Sequence, residues 1–445
     1  MEVTRELARY IVSSRLAGIP EAVRREARRA ILNYFGCAIG GSREEAVEIA
    51  VRVLAPYAGP GTALVLGRRE RVDPLQASFL NGVSSHILEY CDTTPSNYNH
   101  PSSPMASALC AYGSTTPLRG DDFLHAFILG FEAQTRIGNA TYPAHYNAGW
   151  HTTGTVGVFG AAAGIGRLMG LDVPQMIWTI GLAATQSAGL REMFGSMAKA
   201  FHPGRSAQSG YLAALLARGG FTSGIHGLEG PRGFAAVTSA QHDLGIITRN
   251  LGAEFQLPNN TYKPFPSGIV THPTIDGCIQ LHKEHRLTAA DISSVRLRVA
   301  PLVLDLCNKK NIAVGLEGKF SVYHCAAIGL VRGKGGIGEF TDETVNDPDI
   351  LRVRGLVEAT GDAAIAEDAV EIEVVLRDGR RIKKRVDHAL GNLGCPMTDA
   401  ELEEKFRDQA ARVLPPAQVE EVIALCWEID KLEDVGRLIS AACVK

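Results

Sequence analysis

The chain has 445 residues, of which 45% are apolar and 21% are charged, and its formal net charge is −3. This length and composition are typical of a folded globular protein with room for two domains and a large buried core. The near balance of charges and the lack of a basic stripe exclude nucleic acid as an expected partner.

Apolar residues recur at helical spacing through the first part of the chain. In residues 22–39, Val23, Ala27 and Ala30 begin one apolar face. Similar patterns predict helices at residues 44–54, 74–88, 123–138, 155–168, 173–190 and 208–218. Alanine and glycine are frequent in several of these segments, and small side chains let helices approach closely. We therefore predict a compact all-helical body over residues 1–270.

The second part of the chain contains alternating and β-branched segments that are typical of strands. Residues 292–299 alternate apolar and polar side chains, and residues 370–376 and 380–386 flank Asp378-Gly379, a strong hairpin signal. Helices are predicted between these strands at residues 272–285, 320–332 and 347–357. Together these elements predict a small α+β domain over residues 271–393.

The tail, residues 394–445, is helical again. Thr398 and Glu401 have the spacing of a capping box, and residues 399–411 and 417–427 are amphipathic. We expect the tail to pack against the helical body. The predicted fold is mainly α, with a large all-helical domain formed by both chain ends and a smaller α+β domain.

The nine cysteines are scattered, and no two have C-x-x-C spacing. Scattered single cysteines indicate reduced core thiols in a reducing compartment. The first 18 residues are charged and amphipathic, unlike the apolar core of a signal peptide. The apolar stretch around residues 154–170 is short and glycine-rich. We therefore expect a cytoplasmic protein without a membrane span.

Five polar turns carry the histidines and lysines that could do chemistry. They span residues 89–104, 146–154, 195–205, 262–273 and 319–324. His151 is expected at the start of a small-residue helix, which suits a carboxylate ligand and favours a neutral, basic imidazole. Lys199, His202 and Arg205 precede the helix expected near Gln208, and such cations can hold a dicarboxylate.

These residues also have structural interpretations. A single histidine in a turn is more often a satisfied structural residue than a catalytic group, and Lys199 and Arg205 fit surface charges about equally well. The glycine run from Gly157 to Gly166 lacks a preceding strand, so it indicates helix packing and not a nucleotide loop. No Walker loop, serine elbow or paired-histidine motif occurs, so neither a cofactor nor a metal is expected.

Three segments resemble motifs of the MmgE/PrpD family: GWHTTG at residues 149–154, KAFHPGR at 199–205 and GKFSVYH at 318–324. The resemblance covers nearly the whole chain. It implies that the α+β domain is a lid on the helical domain, and that the active site lies in the cleft between them without metal or organic cofactor. It also implies a homodimer.

The resemblance assigns site residues on this chain. The expected catalytic residues are Asp92, His100, His151, Lys199 and His272, and the expected substrate-binding residues are Thr93, His202, Arg205, Lys263, Tyr323 and His324. Cys91 stands where family members often have an acid, and His324 stands in the register of a tyrosine of the decarboxylases.

The expected activity is that of a cofactor-independent lyase. Such an enzyme transfers a proton α to a carboxylate of a small di- or tricarboxylate and is a dehydratase or a decarboxylase. An isomerase or epimerase of an iminodisuccinate-like dicarboxylate would use the same site. A non-catalytic paralogue that binds a small carboxylate is the third alternative, since fold alone does not determine function.

Overall fold

A computed structural model describes residues 2–445, and it is mainly helical as predicted. The body contains the helices Val3–Ser13, Glu21–Gly41, Glu45–Leu54, Pro74–Ile87, Ser102–Gly113, Gly120–Thr141, Ala144–Asn147, Thr152–Leu168, Val173–Ala184, Ala198–Arg218, Phe234–Thr238 and Gly245–Thr248. The tail adds Asp399–Ala410, Pro416–Trp427 and Gly436–Ala441. The predicted capping box is confirmed, because Thr398 and Glu401 each bind the other's backbone N–H.

A four-stranded sheet forms the centre of the second part. Strand Ile292–Val299 pairs in parallel with Val357–Gly361 and antiparallel with Val370–Leu376, which in turn pairs with Arg381–Val386. The accompanying helices are His272–His285, Pro301–Cys307, Gly315–Gly318, Val322–Arg332, Asp342–Val345 and Pro348–Gly355. Strand Val370–Leu376 buries every second residue, and strand Ile292–Val299 does so from Val295 onward, as the predicted alternation requires.

Two predicted helices differ from the structure by more than three residues at one end. The helix expected from Gln208 begins ten residues earlier, at Ala198, and therefore includes Pro203. The residue after this proline, Gly204, packs closely against helix Pro74–Ile87. A Cβ atom added to Gly82 in that helix would lie only 2.5 Å from Gly204 Cα. The helix expected over residues 173–190 ends at Ala184.

The helix expected over residues 347–357 spans Pro348–Gly355, and the chain then enters strand Val357–Gly361. Alternating periodicity did not reveal this strand, because it lies at the edge of the sheet and buries only its first residue.

The buried apolar residues form two clusters. One joins the helical body to the tail, and the other surrounds the four-stranded sheet. The tail contacts helix Glu21–Gly41, where Lys405 Nζ donates to Asn33 Oδ1 over 2.6 Å. The domain boundaries at residues 270/271 and 393/394 stay a prediction. Within residues 2–445, every helix is too short or too polar to cross a membrane.

Candidate active site

A small cavity lies where the two apolar clusters approach each other. Its walls come from both parts of the chain, and they include His100, His151 and Lys199 from the body and Cys307 and Phe320 from the sheet-containing part. The short pairing of Asp92–Thr93 with Thr261–Tyr262 brings the first and fourth polar turns together. The cavity volume is about 40 Å³, which is little more than the space of a single water molecule, about 30 Å³.

Glu89 forms the electrostatic centre of this site. Its carboxylate accepts a hydrogen bond from Lys199 Nζ, and Lys263 Nζ lies 3.4 Å from the same oxygen. Burial alone would raise the pKa of Glu89, but the two ammonium groups outweigh it and lower the pKa to about 2. Burial also lowers the pKa of Lys199. One carboxylate between two ammonium groups leaves a net positive charge, which favours an anionic ligand.

Asp92 has a different environment from the one expected of a catalytic acid. Its carboxylate accepts hydrogen bonds from the Ser102 hydroxyl at 2.5 Å and the Asn260 amide at 2.9 Å. Burial raises its pKa, against the lowering effect of these donors. The carboxylate therefore joins the two ends of the first polar turn and ties this turn to the segment that contains Asn260. A catalytic role for Asp92 stays a prediction.

Three histidines converge beside the lysine pair. His86, which the sequence did not single out, His100 and His151 each place one ring nitrogen within 4.8 Å of the others. His100 Nδ1 lies 2.8 Å from the Asp92 carbonyl oxygen and 3.0 Å from Thr93 Oγ1. Because a carbonyl only accepts, we assign the proton to Nδ1, which leaves the lone pair on Nε2.

His151 shares a hydrogen bond with a second predicted residue. Its Nδ1 lies 2.8 Å from His202 Nδ1, so one of the two rings donates to the other. When His151 is the donor, its proton is on Nδ1 and its Nε2 carries the lone pair. This buried Nε2 has no hydrogen-bond partner within residues 2–445. The position of the shared proton thus decides whether His151 Nε2 is basic.

The three converging rings are neutral at physiological pH. Burial lowers the pKa of His86, His100 and His151 well below the usual histidine value, and the nearby lysine ammonium groups lower it further. A bound anion would oppose the effect of the ammonium groups and raise these pKa values. Three imidazoles at this separation could ligate a transition metal. The nearby ammonium groups of Lys199 and Lys263 would repel a metal cation and so oppose its binding.

His272 lies at a second, larger cavity that adjoins the first. Its ring packs edge-on against Phe265, with 5.6 Å between the centroids. Burial and the Lys263 ammonium group lower its pKa well below the usual value. Its buried Nε2 has no hydrogen-bond partner in the described chain.

Four of the eleven predicted residues line the small cavity and seven do not. Among those seven, Arg205, Tyr323 and His324 form side-chain hydrogen bonds only with residues that do not line it. Arg205 is exposed and binds Gln208 Oε1 at 2.7 Å, because the helix that begins at Ala198 turns it about 120° away from Lys199. The Tyr323 hydroxyl donates to Asn308 over 2.6 Å, and His324 Nε2 lies 2.9 Å from the Glu339 carbonyl oxygen. Substrate binding by these three residues stays a prediction without a supporting contact.

Two buried lysines to which the sequence assigned no site role support the turn at Glu89. Glu89 has a left-handed φ of 57°. Lys319 Nζ donates to the Leu88 carbonyl oxygen and Lys405 Nζ to the Tyr90 carbonyl oxygen, each over 2.7 Å. These lysines come from distant parts of the chain, so they hold the turn through the tertiary fold. Of the two, only Lys319 lies in a segment that the sequence had singled out, the GKFSVYH motif. The sequence around Lys405 gave no indication of this contact.

Lys405 makes a pH-dependent contribution to stability that can be measured. Burial lowers its pKa from 10.5 to about 8. Between these two values the unfolded chain binds a proton that the folded chain has released, so raising the pH favours folding. Relative to Lys405→Met, we expect the wild-type free energy of unfolding to rise by about 1.4 kcal/mol per pH unit in this range. Urea unfolding from pH 7 to pH 10 measures it.

The matched control for this experiment is Lys383→Met, which changes a lysine whose side chain is 74% exposed. We expect its difference from the wild type to stay nearly constant with pH. The same constancy for Lys405→Met would contradict the assigned pKa.

Comparisons with known proteins agree with this architecture. The MmgE/PrpD N-terminal domain matches residues 5–247, and the MmgE/PrpD C-terminal domain matches residues 265–429. Cis-aconitate decarboxylase of Mus musculus is 26% identical, covering 98% of this chain and 92% of its own. For cis-aconitate decarboxylase of Aspergillus terreus the identity is 24%, covering 98% and 95%. For 2-methylcitrate dehydratase of Cupriavidus necator it is 24%, covering 92% and 90%.

Proposed function

The chain belongs to the MmgE/PrpD family of enzymes, and we propose that it is a cofactor-independent lyase that transfers a proton α to a carboxylate of a small di- or tricarboxylate. One observation carries the proposal: neutral, buried imidazoles lie beside the Lys199 and Lys263 ammonium groups in a small cavity. This combination suits proton abstraction from a bound anion. The expected cytoplasmic location stays a prediction.

The proposed reaction begins with a substrate carboxylate held by Lys199 and Lys263. A neutral histidine then accepts the proton from the adjacent carbon. His151 is the first candidate from the sequence, and the tautomer assigned to His100 makes its Nε2 an equally suitable base. The electron pair moves into the carboxylate to give an aci-carboxylate, and the ammonium groups stabilise the added negative charge.

Three reactions share this intermediate or its vinylogous relative. In a dehydratase the aci-carboxylate expels the β-hydroxyl, which leaves as water with a proton from a protonated side chain, and in an epimerase the aci-carboxylate is reprotonated from the opposite face. In a decarboxylase the departure of CO₂ itself forms the aci-carboxylate, because the electron pair of the broken bond moves into the conjugated carboxylate, and a side chain then adds a proton to the α carbon. The names of the relatives favour the dehydratase and the decarboxylase. The epimerase and a non-catalytic carboxylate-binding protein are the competing outcomes.

Product analysis tests this proposal. The purified protein is incubated with cis-aconitate, 2-methylcitrate and iminodisuccinate, and proton NMR follows each substrate. We expect loss of water or CO₂ from one of them, at a rate proportional to enzyme concentration. Inversion of configuration without loss of water or CO₂ would indicate an epimerase and not a lyase. No conversion of any of these substrates by folded protein would contradict the proposal for them.

We also propose that the protein is a homodimer. Met197, Phe201 and Leu215 share one face of helix Ala198–Arg218, each at least 39% exposed, on the side opposite Lys199. A second copy covering this face would bury apolar surface that is otherwise exposed to water. We expect Phe201→Glu to convert a dimer into a monomer in light scattering coupled to size exclusion. A wild-type monomer at micromolar concentration would contradict the proposal.

A further inference from the structure

A second cavity of about 450 Å³ adjoins the small one. The two share Tyr98, Lys263, Ile269 and Val270 as walls. An apolar protein cavity of roughly 150 Å³ already holds a benzene molecule, so this outer cavity has room for a substituent of several carbon atoms. By contrast, the inner cavity of about 40 Å³ is far too small for a whole tricarboxylate.

The outer cavity is lined mainly by apolar side chains. The segment of residues 388–394 contributes Ala389, Leu390 and Leu393 to its walls, and Ile269 and Val270 also line it. Apolar walls of this kind gain free energy when they exclude water against an apolar group. A carboxylate against such walls would lose its hydrogen bonds to water and gain none from the protein in return.

The charged groups at this cavity also disfavour a further carboxylate there. Glu367 accepts a hydrogen bond from the Tyr98 hydroxyl, and Asp368 accepts from the Asn392 amide at 2.6 Å and lies 2.7 Å from His388 Nδ1. Both acids line the outer cavity, and their negative charge repels an anion.

His272 also lines the outer cavity. The residue is 3% exposed and its Nε2 is without a partner in the described chain, although buried polar atoms are normally hydrogen-bonded. Protein atoms cover this nitrogen. It therefore adds no accessible polar atom to the outer cavity.

We infer that the outer cavity holds an apolar arm, alkyl or aryl, of a substrate whose carboxylate end lies at Lys199 and Lys263. The inference rests on the proposed function and narrows its substrate class. The substrate carries a carboxylate at the lysine pair, one apolar substituent in the outer cavity, and no carboxylate on the side of that substituent.

Binding of a homologous series tests the inference without requiring turnover. The ligands are 2-methyl-, 2-ethyl-, 2-propyl-, 2-butyl- and 2-benzylsuccinate, and calorimetry with the full-length protein gives each Kd. We expect Kd to fall about three- to fourfold for each added methylene. A Kd that stays constant or rises along the series would overturn the inference, as would a failure of every member to bind.

Two variants locate the effect. Leu393→Asp places a charge on the cavity wall at a residue that is 53% exposed, and we expect it to flatten the dependence of Kd on chain length. Leu351→Asp is the matched control, because Leu351 is 41% exposed and lies outside the cavity walls; it is expected to keep the wild-type dependence. An unchanged dependence in Leu393→Asp would overturn the assignment to this cavity.

Failure of the inference is distinguishable from failure of the proposed function. If cis-aconitate or 2-methylcitrate is converted while Kd stays constant along the succinate series, the lyase proposal is supported and the inference of an apolar arm is wrong. If Kd falls steeply along the series while none of the three small substrates is converted, the apolar arm is supported. The substrate is then to be sought among alkyl- or aryl-substituted dicarboxylates.

Discussion

Replacing Lys199 with methionine is expected to lower kcat/KM on the order of 100- to 1000-fold. The ammonium group lies in the small cavity and is held by Glu89, so it is placed to stabilise the charge that develops on a substrate carboxylate. Methionine keeps most of the side-chain volume and removes the charge. The substrate that the product analysis identifies supplies the rate measurement.

The control for this variant is again Lys383→Met, which removes an exposed ammonium group from the sheet surface. Its kcat/KM is expected to match that of the wild type. If Lys199→Met keeps its helical circular dichroism and stays within about fivefold of the wild-type rate, oxyanion stabilisation by Lys199 is wrong, since one such group normally contributes at least 100-fold.

Replacing Glu89 with glutamine is expected to reduce the free energy of unfolding by about 3–5 kcal/mol at pH 7, because it leaves two buried ammonium groups without their counterion. The pKa of Glu89 gives a similar value. Its fall from 4.5 to about 2 on folding corresponds to roughly 3 kcal/mol. Urea unfolding of wild type and variant measures the difference.

The pH dependence of this difference has a definite sign. Glu89 binds protons more weakly in the folded state, so its stabilisation is complete above about pH 4.5 and is lost as the pH falls toward 2. The gap between wild type and Glu89→Gln is therefore expected to narrow in acid. Glu284→Gln changes an exposed glutamate paired with Lys384 and should leave the free energy of unfolding nearly unchanged. An equal cost for the two variants would contradict the buried ion pairs.

Local patterns were sufficient to predict most elements of the fold. Helix His272–His285 and strands Ile292–Val299 and Val370–Leu376 have the predicted bounds, because periodicity, Pro273 and a β-branched run mark them locally. The early start of helix Ala198–Arg218 was missed, since Pro203 resembles a helix break in the sequence alone. Its packing against Gly82 is a tertiary contact that no local pattern contains.

The candidate site was partly predictable. His100, His151, Lys199 and Lys263 lie on the small cavity, and all four come from the polar turns identified in the sequence. Glu89 was passed over in favour of Asp92, three residues later. Which of these two carboxylates meets the lysines depends on the left-handed turn at Glu89, and this turn is held by Lys319 and Lys405 from remote segments.

The most direct test of the proton-transfer claim is deuterium incorporation from D₂O into the carbon α to the substrate carboxylate, followed by proton NMR. We predict deuterium in the product or recovered substrate of a decarboxylase or an epimerase, and for a dehydratase the release to water of deuterium from substrate labelled at this carbon. Either signal is expected to fall at least 100-fold in His151→Ala or His100→Ala, whichever is the base. Wild-type turnover that neither gains solvent deuterium nor releases the α label would contradict α-proton transfer, as would an unchanged signal in both histidine variants.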